Sequence, residues 1–306
     1  MIIYGNIVEE DGLKPGILEF EDGVIKRLIR KPQSPRNDLF DEYGSFIDRH
    51  FLRTSHIIFP GFVDLGAYCD FGQETYQSAA VAALNGGITA LADISDDPRT
   101  EALALEITHL PPNFLVTASV DEFLGIADPI AITPHHLYFN SDMHNKSEYL
   151  RTNPPLPTAK EQLRLFDCLG VFDYLVSGHV PHLALDKIRS GLCGVPSLDT
   201  FGSFVAWLVQ EKKVDVSTVF NIACKNPGKR LGEFTDRKIG RLQPGYEASF
   251  TAIDITKTAD SGRPIMSKAG WSPFDLRYLT GVVDVVYGKG EKLVDGAWLQ
   301  NFARIS

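Results

Sequence analysis

The stretch Ile57 to Asp70, IIFPGFVDLGAYCD, constrains the fold more than any other part of the chain. An apolar run with β-branched residues enters a Pro60-Gly61 corner and leaves as FVDLGAY. This pattern predicts a buried strand over 57 to 68 that ends where side chains open into a cavity. Before it, MIIYGNIV and GILEFEDGVIKRLI read as short strands around the hairpin signal Glu21-Asp22-Gly23, followed by a polar loop near Pro32 to Asn37. After it the texture becomes strand, helix, strand: AAVAALNGG stops at Gly86-Gly87 and ITALADIS follows. Leu103, Ile107 and Leu110 recur at helical spacing, which predicts a helix from Arg99 to Leu110, with NFLVTASV as a third strand. Repeated βα units mean parallel strands.

Further helices are expected in TAKEQLRLFDCLG, FGSFVAWLVQEKK and VSTVFNIACKNPGKRLG, with a strand at FDYLVSG. From Lys238 the β texture returns in GRLQPGYEASFTAID and GVVDVVYGKGEKLVDGAW, with a turn at Gly288-Lys289-Gly290. The two β-rich ends are expected to pair. Residues 1–56 plus 238–306 then form an accessory β domain, and residues 57–237 a βα domain.

A chain of 306 residues that is 44% hydrophobic can fill a sizeable core. Its net charge of -9, without a Lys/Arg run, argues against nucleic-acid or anionic membrane surfaces. Cys69, Cys168, Cys193 and Cys224 are too widely spaced for a zinc knuckle and are expected to be buried, reduced thiols. No segment approaches the ~20 apolar residues of a membrane span, and the start has no signal-peptide pattern, so the expected address is cytoplasmic. There is no GxSxG, phosphate loop or GxGxxG.

PGFVDLGAYCDFGQET resembles the first barrel strand and loop of the dihydroorotases and their amidohydrolase relatives. TPHHLYF, TNPPLPT, SGHVPH, GVPSLDT, NPGKRLG and GRLQPGYEASFTAID are similar to later family segments in the same order. The resemblance implies an α/β fold: a TIM-type (β/α) barrel with a composite β-sandwich from both chain ends. It also implies pyrimidine biosynthesis. The family's metal lowers the pKa of bound water, and a carboxylate at the end of strand eight moves the proton. At the first-strand His-x-His this chain has Gly66 and Tyr68, and Gly178 stands in place of the carboxylate. Glycine offers no donor, and a phenol with a pKa near ~10 is a poor substitute for imidazole.

The chain passes from NFLVTASV to TPHHL within about 15 residues, so the middle strands that carry the other ligands have no counterpart. The implied fold is a reduced barrel of about five strands, which closes poorly and leaves edges that need a cover. Asp70 replaces the substrate-gripping Arg, and Ser95-Asp96 stands at the substrate Asn. The remaining vestigial substrate positions are Asn153, His182 and the backbone of Gly194, Val195 and Pro196.

Adjacent histidines in a strand point to opposite faces, so His135 and His136 are expected to be structural. Asp93, Asp96 and Asp97 read as a solvated loop or helix start before Pro98, and Asp64 as a structural anchor. The expectation is a pseudoenzyme with no catalytic residue, metal or cofactor. It would form a homo-oligomer or act as a structural or regulatory partner of aspartate transcarbamoylase. The alternatives are an amidohydrolase with a metal site rebuilt from His179 or His182 with the acidic group near Asp96, or a metabolite-binding module around Asn153 and His182.

Overall fold

The computed structural model describes residues 1–30, 55–95, 105–123, 125–126, 128–145, 147–260, 264–274, 276–296 and 298–299. The polar loop near Pro32 to Asn37, Asp96, Asp97 and the start of the Arg99 helix lie outside these residues.

The run after Ser55 is two strands in two different sheets. β4 (His56–Pro60) and β5 (Phe62–Ala67) are split at Gly61. A Cβ at Gly61 would stand 2.0 Å from Thr89 Oγ1, so only glycine lets the corner sit this close to the neighbouring strand. The Pro60-Gly61 corner marks the break, but the apolar run does not show that the two halves join different sheets, because both are fully buried and equally hydrophobic.

β1 (Ile2–Glu9), β2 (Gly12–Glu21) and β3 (Val24–Arg30) form an antiparallel meander. Its second turn uses Asp22 and Gly23, both at positive φ, as a two-residue hairpin requires. From the other end of the chain come β11 (Phe250–Thr258), β12 (Thr280–Gly288), β13 (Glu291–Asp295) and β14 (Trp298–Leu299). All eight strands share one sheet in the order β14-β13-β12-β11-β4-β1-β2-β3. The two chain ends pair directly outside this order, where Val24 bridges Glu247 and Ile25 N–H donates to the Tyr246 carbonyl at 2.8 Å. In the sheet itself β4 lies between them, parallel to β1 and antiparallel to β11, with Ile58 opposite both Ile7 and Ala252. Phe20, Phe250 and Tyr287 fill the core of this sheet, the last two stacked at 4.6 Å between ring centroids.

The second half of the architecture is built of parallel strands in two three-stranded sheets. One has the order β5, β6 (Ile88–Asp93), β7 (Ile107–His109). The other has the order β10 (Tyr174–Leu175), β9 (Ile130–Ile132), β8 (Leu115–Val116). Isolated parallel bridges from Ala67 to His179 and from His179 to Val195 join β5 to the segment that follows β10. The helix expected to reach Leu110 is replaced by a strand at Ile107–His109, where Ile107 pairs with Leu91. Edge pairing overrides a helical spacing carried by only three leucines and isoleucines.

Helix α1 (Tyr76–Asn85) starts with a capping box between Thr75 and Ser78 and buries Ala79, Ala80, Ala82 and Ala83. α2 (Pro134–Tyr138), α3 (Ala159–Asp167), α4 (Ala184–Ser190) and α5 (Phe201–Gln210) follow. α6 (Val216–Phe220) continues through a π turn at Asn221–Lys225 into α7 (Asn226–Thr235), where Pro227 has no N–H to donate. Among the described residues no helix is long and apolar enough to cross a membrane.

Candidate functional site

The segments that leave β5, β9 and β10 gather around a cavity of about 240 Å3. Gly66, Tyr68, Gly178, Asn153 and Gly194 all line it, although they are spread over nearly 130 residues of sequence. Most of the remaining wall is apolar, including Ile94, Phe114, Val116, Val176 and Val180. Among the described residues no Asp, Glu, Lys or Arg side chain lines it.

The glycines are packed shut. A Cβ at Gly66 would stand 2.9 Å from Val176 Cβ. Gly178 has φ +58°, and a Cβ there would stand 2.8 Å from His135 Cε1 and 2.9 Å from Thr133 Cγ2.

His135 and His136 lie on a helix, α2, and not on a strand. Thr133 caps this helix and Pro134 occupies its first turn, which is a helix-start signal that outweighs the short apolar pattern. The two histidines have separate surroundings. His136 Nε2 is 2.9 Å from the Pro154 carbonyl, so it carries the proton, and Nδ1 accepts from the Thr133 hydroxyl at 2.7 Å. Burial pushes its pKa down to about 4. His135 lines the cavity with its Nδ1 unpartnered, and burial holds it well below the usual imidazole range. Thr152 also lines the cavity with an unpartnered hydroxyl.

His179 is fully buried behind this cavity. Its Nδ1 accepts from Ser197 N–H at 3.1 Å, which places the ring proton on Nε2, 3.4 Å from Glu74 Oε2. Burial would raise the Glu74 carboxyl, but the His179 ring and the hydroxyls of Ser267 and Ser78 outweigh it and hold Glu74 below the usual range. The residues around SGHVPH and GVPSLDT are zipped together: Val180 N–H donates to Val195 C=O at 3.0 Å, and Ser197 Oγ donates to Ser177 C=O at 2.7 Å. Val195 and Pro196 are buried in that zipper, outside the cavity lining. His182 is also outside the lining, edge-on to Phe71 at 5.1 Å. Asp186 lies in the first turn of α4. Among the described residues no three His, Cys, Asp or Glu side chains group as metal ligands would.

The carboxylates around the mouth are structural. Asp64 Oδ1 accepts from Gly66 N–H at 3.1 Å and Ser177 N–H at 2.8 Å, tying β5 to the end of β10, and burial raises its pKa. Asp93 is 1% exposed and not solvated, contrary to expectation. It accepts from the Cys69 and Ser95 amides and from the Tyr76 and Ser95 hydroxyls. Such a network depends on side chains arriving from α1 and from the loop after β6, which a run of acidic residues does not reveal. The cysteines are all free, with Cys69 and Cys224 buried as expected, Cys168 intermediate and Cys193 exposed.

Sequence reasoning did not single out Glu74, Thr152 or the segment 264–274. That segment, between β11 and β12, straps the mouth. Lys268 N–H donates to Glu74 at 3.2 Å, Met266 N–H to Asp199 at 2.7 Å, and Trp271 Nε1 to the His182 carbonyl at 2.9 Å.

In fold the protein is an α/β chain similar to solved hydantoinase and dihydropyrimidinase structures. It matches L-hydantoinase (dihydropyrimidinase) from Arthrobacter aurescens with a TM-score of 0.77 at 14% identity, over 97% of this chain and 96% of that one. It matches dihydropyrimidinase from Brevibacillus agri with a TM-score of 0.76 at 12% identity, over 98% and 96%. In sequence it is dihydroorotase-like. It is 28% identical over 220 residues to the dihydroorotase of Methanothermobacter thermautotrophicus, covering 67% of this chain and 49% of that protein. It is 36% identical over 153 residues to the dihydroorotase of Thermoplasma acidophilum, covering 47% and 35%. The chain thus spans about half the length, or less, of the curated relatives it matches. No family model matches it.

Proposed function

We propose that this chain is a non-catalytic, dihydroorotase-like protein of pyrimidine biosynthesis. In this reading a reduced barrel over 57–237 is carried on a β domain built from 1–56 plus 238–306, and the protein works as a structural or regulatory partner. The observation that carries the reading is the packing at Gly66 and Gly178. A metal-activated water and a proton-transferring carboxylate need side chains at those positions. Val176 occupies the space that a side chain at 66 would need, and His135 and Thr133 occupy the space at 178. Tyr68 between them supplies a phenol, a poor ligand at neutral pH.

β7 and β8 end separate parallel sheets. Unpaired strand edges invite a cover, and we assign that role to aspartate transcarbamoylase or to a second copy of this chain.

Two measurements test the reading. Hydrolysis of dihydroorotate by the pure protein with added zinc is expected to stay at the uncatalysed rate, and a Gly66→His, Tyr68→His double variant is expected to gain nothing. Zinc-dependent turnover that disappears in a His179→Ala, His182→Ala variant would overturn it and place a rebuilt site there. Co-purification with aspartate transcarbamoylase of the same source tests the partner role. If that enzyme neither binds nor changes its assembly, the partner role fails and the homo-oligomer is left to explain the covered edge.

A further inference from the structure

Helix α4 is built inside out. Its seven residues, ALDKIRS, bury the lysine and expose the aliphatics: Lys187 is 1% exposed, Leu185 60% and Ile188 41%. The carbonyls of Arg151, Leu192 and Gly194 hold the Lys187 ammonium inward, so the helix cannot roll its aliphatic face into the core without losing them. At about 100° per residue, Leu185, Asp186, Ile188 and Arg189 all fall on the half of the helix opposite Lys187.

A lone exposed leucine needs no explanation, but these two aliphatics continue into an apolar rim. α4 packs on the 3-10 turn Glu148–Leu150, whose Tyr149 is 38% exposed and meets Trp271 at 5.9 Å between ring centroids. Trp271 donates to the His182 carbonyl, and the His182 ring meets Phe71, also 38% exposed.

We propose that this face is one half of a two-fold interface between two copies of the chain, with α4 packed antiparallel to α4 of the second copy. The choice of occupant rests on charge. Asp186 and Arg189 are exposed, one turn apart, and among the described residues neither is in an ion pair. Both line the same side of the aliphatic pair. A two-fold axis that sets two helices antiparallel brings like sides together and reverses their direction, so residue i meets j and j meets i. Leu185 then stands against Ile188 of the second copy and Asp186 against Arg189, each contact made twice. A purely apolar partner would leave both charges unmatched, and a strongly acidic or basic one would repel one of them. The contact is small. Four helix residues with Tyr149 and Phe71 beside them lie at the low end of what a stable dimer buries, so the expected Kd is on the order of 10 μM.

This inference goes beyond the proposed function and does not rest on it. Turnover of dihydroorotate would end the non-catalytic reading and leave the interface as it is. The test is sedimentation equilibrium of the full chain between about 1 and 200 μM, where a monomer–dimer equilibrium is expected. Leu185→Asp, which sets a carboxylate against Ile188 of the second copy, is expected to raise the Kd at least tenfold. Asp186→Arg, which sets two arginines against each other at both contacts, is expected to do the same. The double variant Asp186→Arg, Arg189→Asp reverses both charges and is expected to return the Kd to within about threefold of its starting value. A chain that stays monomeric up to about 200 μM, a dimer that survives Leu185→Asp, or a double variant no tighter than Asp186→Arg alone overturns the proposal. A monomeric chain that binds aspartate transcarbamoylase, and loses that binding in Leu185→Asp, also overturns it and gives the face to that enzyme.

Discussion

The eight-stranded sheet and the two parallel sheets are held together in different ways. In the sheet, β2 runs for ten residues and pairs with β1 through eight consecutive registers, and a cluster of large aromatic and aliphatic side chains covers one face. In the parallel sheets, β8 and β10 have only two residues each. Their ladders supply too few hydrogen bonds to fix the segments that follow them. Buried polar side chains do this instead: Asp64 ties β5 to Ser177, Asp93 holds the loop after β6, and Lys187 staples two loops of the mouth. Long ladders rely on area and backbone pairing, whereas short ones rely on single side chains that meet backbone groups.

Five substitutions or measurements sharpen that contrast. The largest effect is expected in the sheet. Phe250→Ala removes a fully buried ring from between Phe20 and Tyr287 and should cost about 4 kcal/mol in urea unfolding, within the usual range for Phe→Ala. A cost below about 1 kcal/mol would mean that the sheet does not depend on its aromatic core.

Next comes Lys187→Met. The Lys187 ammonium donates to the carbonyls of Arg151 and Leu192 at 2.9 and 3.1 Å and to that of Gly194, so the variant leaves three carbonyls without it. A loss of about 3 kcal/mol is expected. Unchanged stability would show that the mouth is not stapled by this lysine.

Asp93→Asn presents an amide N–H₂ to groups that are themselves donors and should cost about 2 kcal/mol. Tyr76→Phe, which removes one of those donors, should cost less.

The smallest effect is in the pH profile. Burial lowers the Lys187 pKa to about 8, below the ordinary value of 10.5. Between those two values the unfolded chain binds more protons than the folded one, so this group makes stability rise with pH across the window. Burial raises the Asp64 and Asp199 carboxyls, so there the folded chain binds more protons. Their contribution to stability is greatest at low pH and falls as pH rises from the unfolded value through the folded one. In Lys187→Met the rise above pH 8 should vanish while the acid-side slope persists. A rise that persists in the variant would assign it to another group.

The mouth was partly legible in the sequence. Gly66, Tyr68, Gly178, Asn153 and Gly194 were picked out from motif positions, and all five line one cavity. Motifs of this kind mark strand ends, and strand ends converge in a parallel barrel whatever chemistry they carry. Val195, Pro196 and His182 were placed in the same group but line something else. A loop motif fixes where the chain passes and leaves open which side chains turn inward. TPHHL forms a helix and not the expected strand, and Thr133-Pro134 is the helix-start signal that marks it.

By itself the sequence determined that β-rich ends flank a βα core and that the hairpins turn at Asp22-Gly23 and Lys289-Gly290. These properties are local: turn conformation and strand and helix periodicity. Only the tertiary structure decided that β4 joins the two chain ends, that Gly61 breaks one apolar run into strands of two sheets, and that His135 and Thr152 face a shared cavity without partners. Each of those depends on which groups arrive from more than a dozen residues away. Burial then sets the cost of whatever they lack.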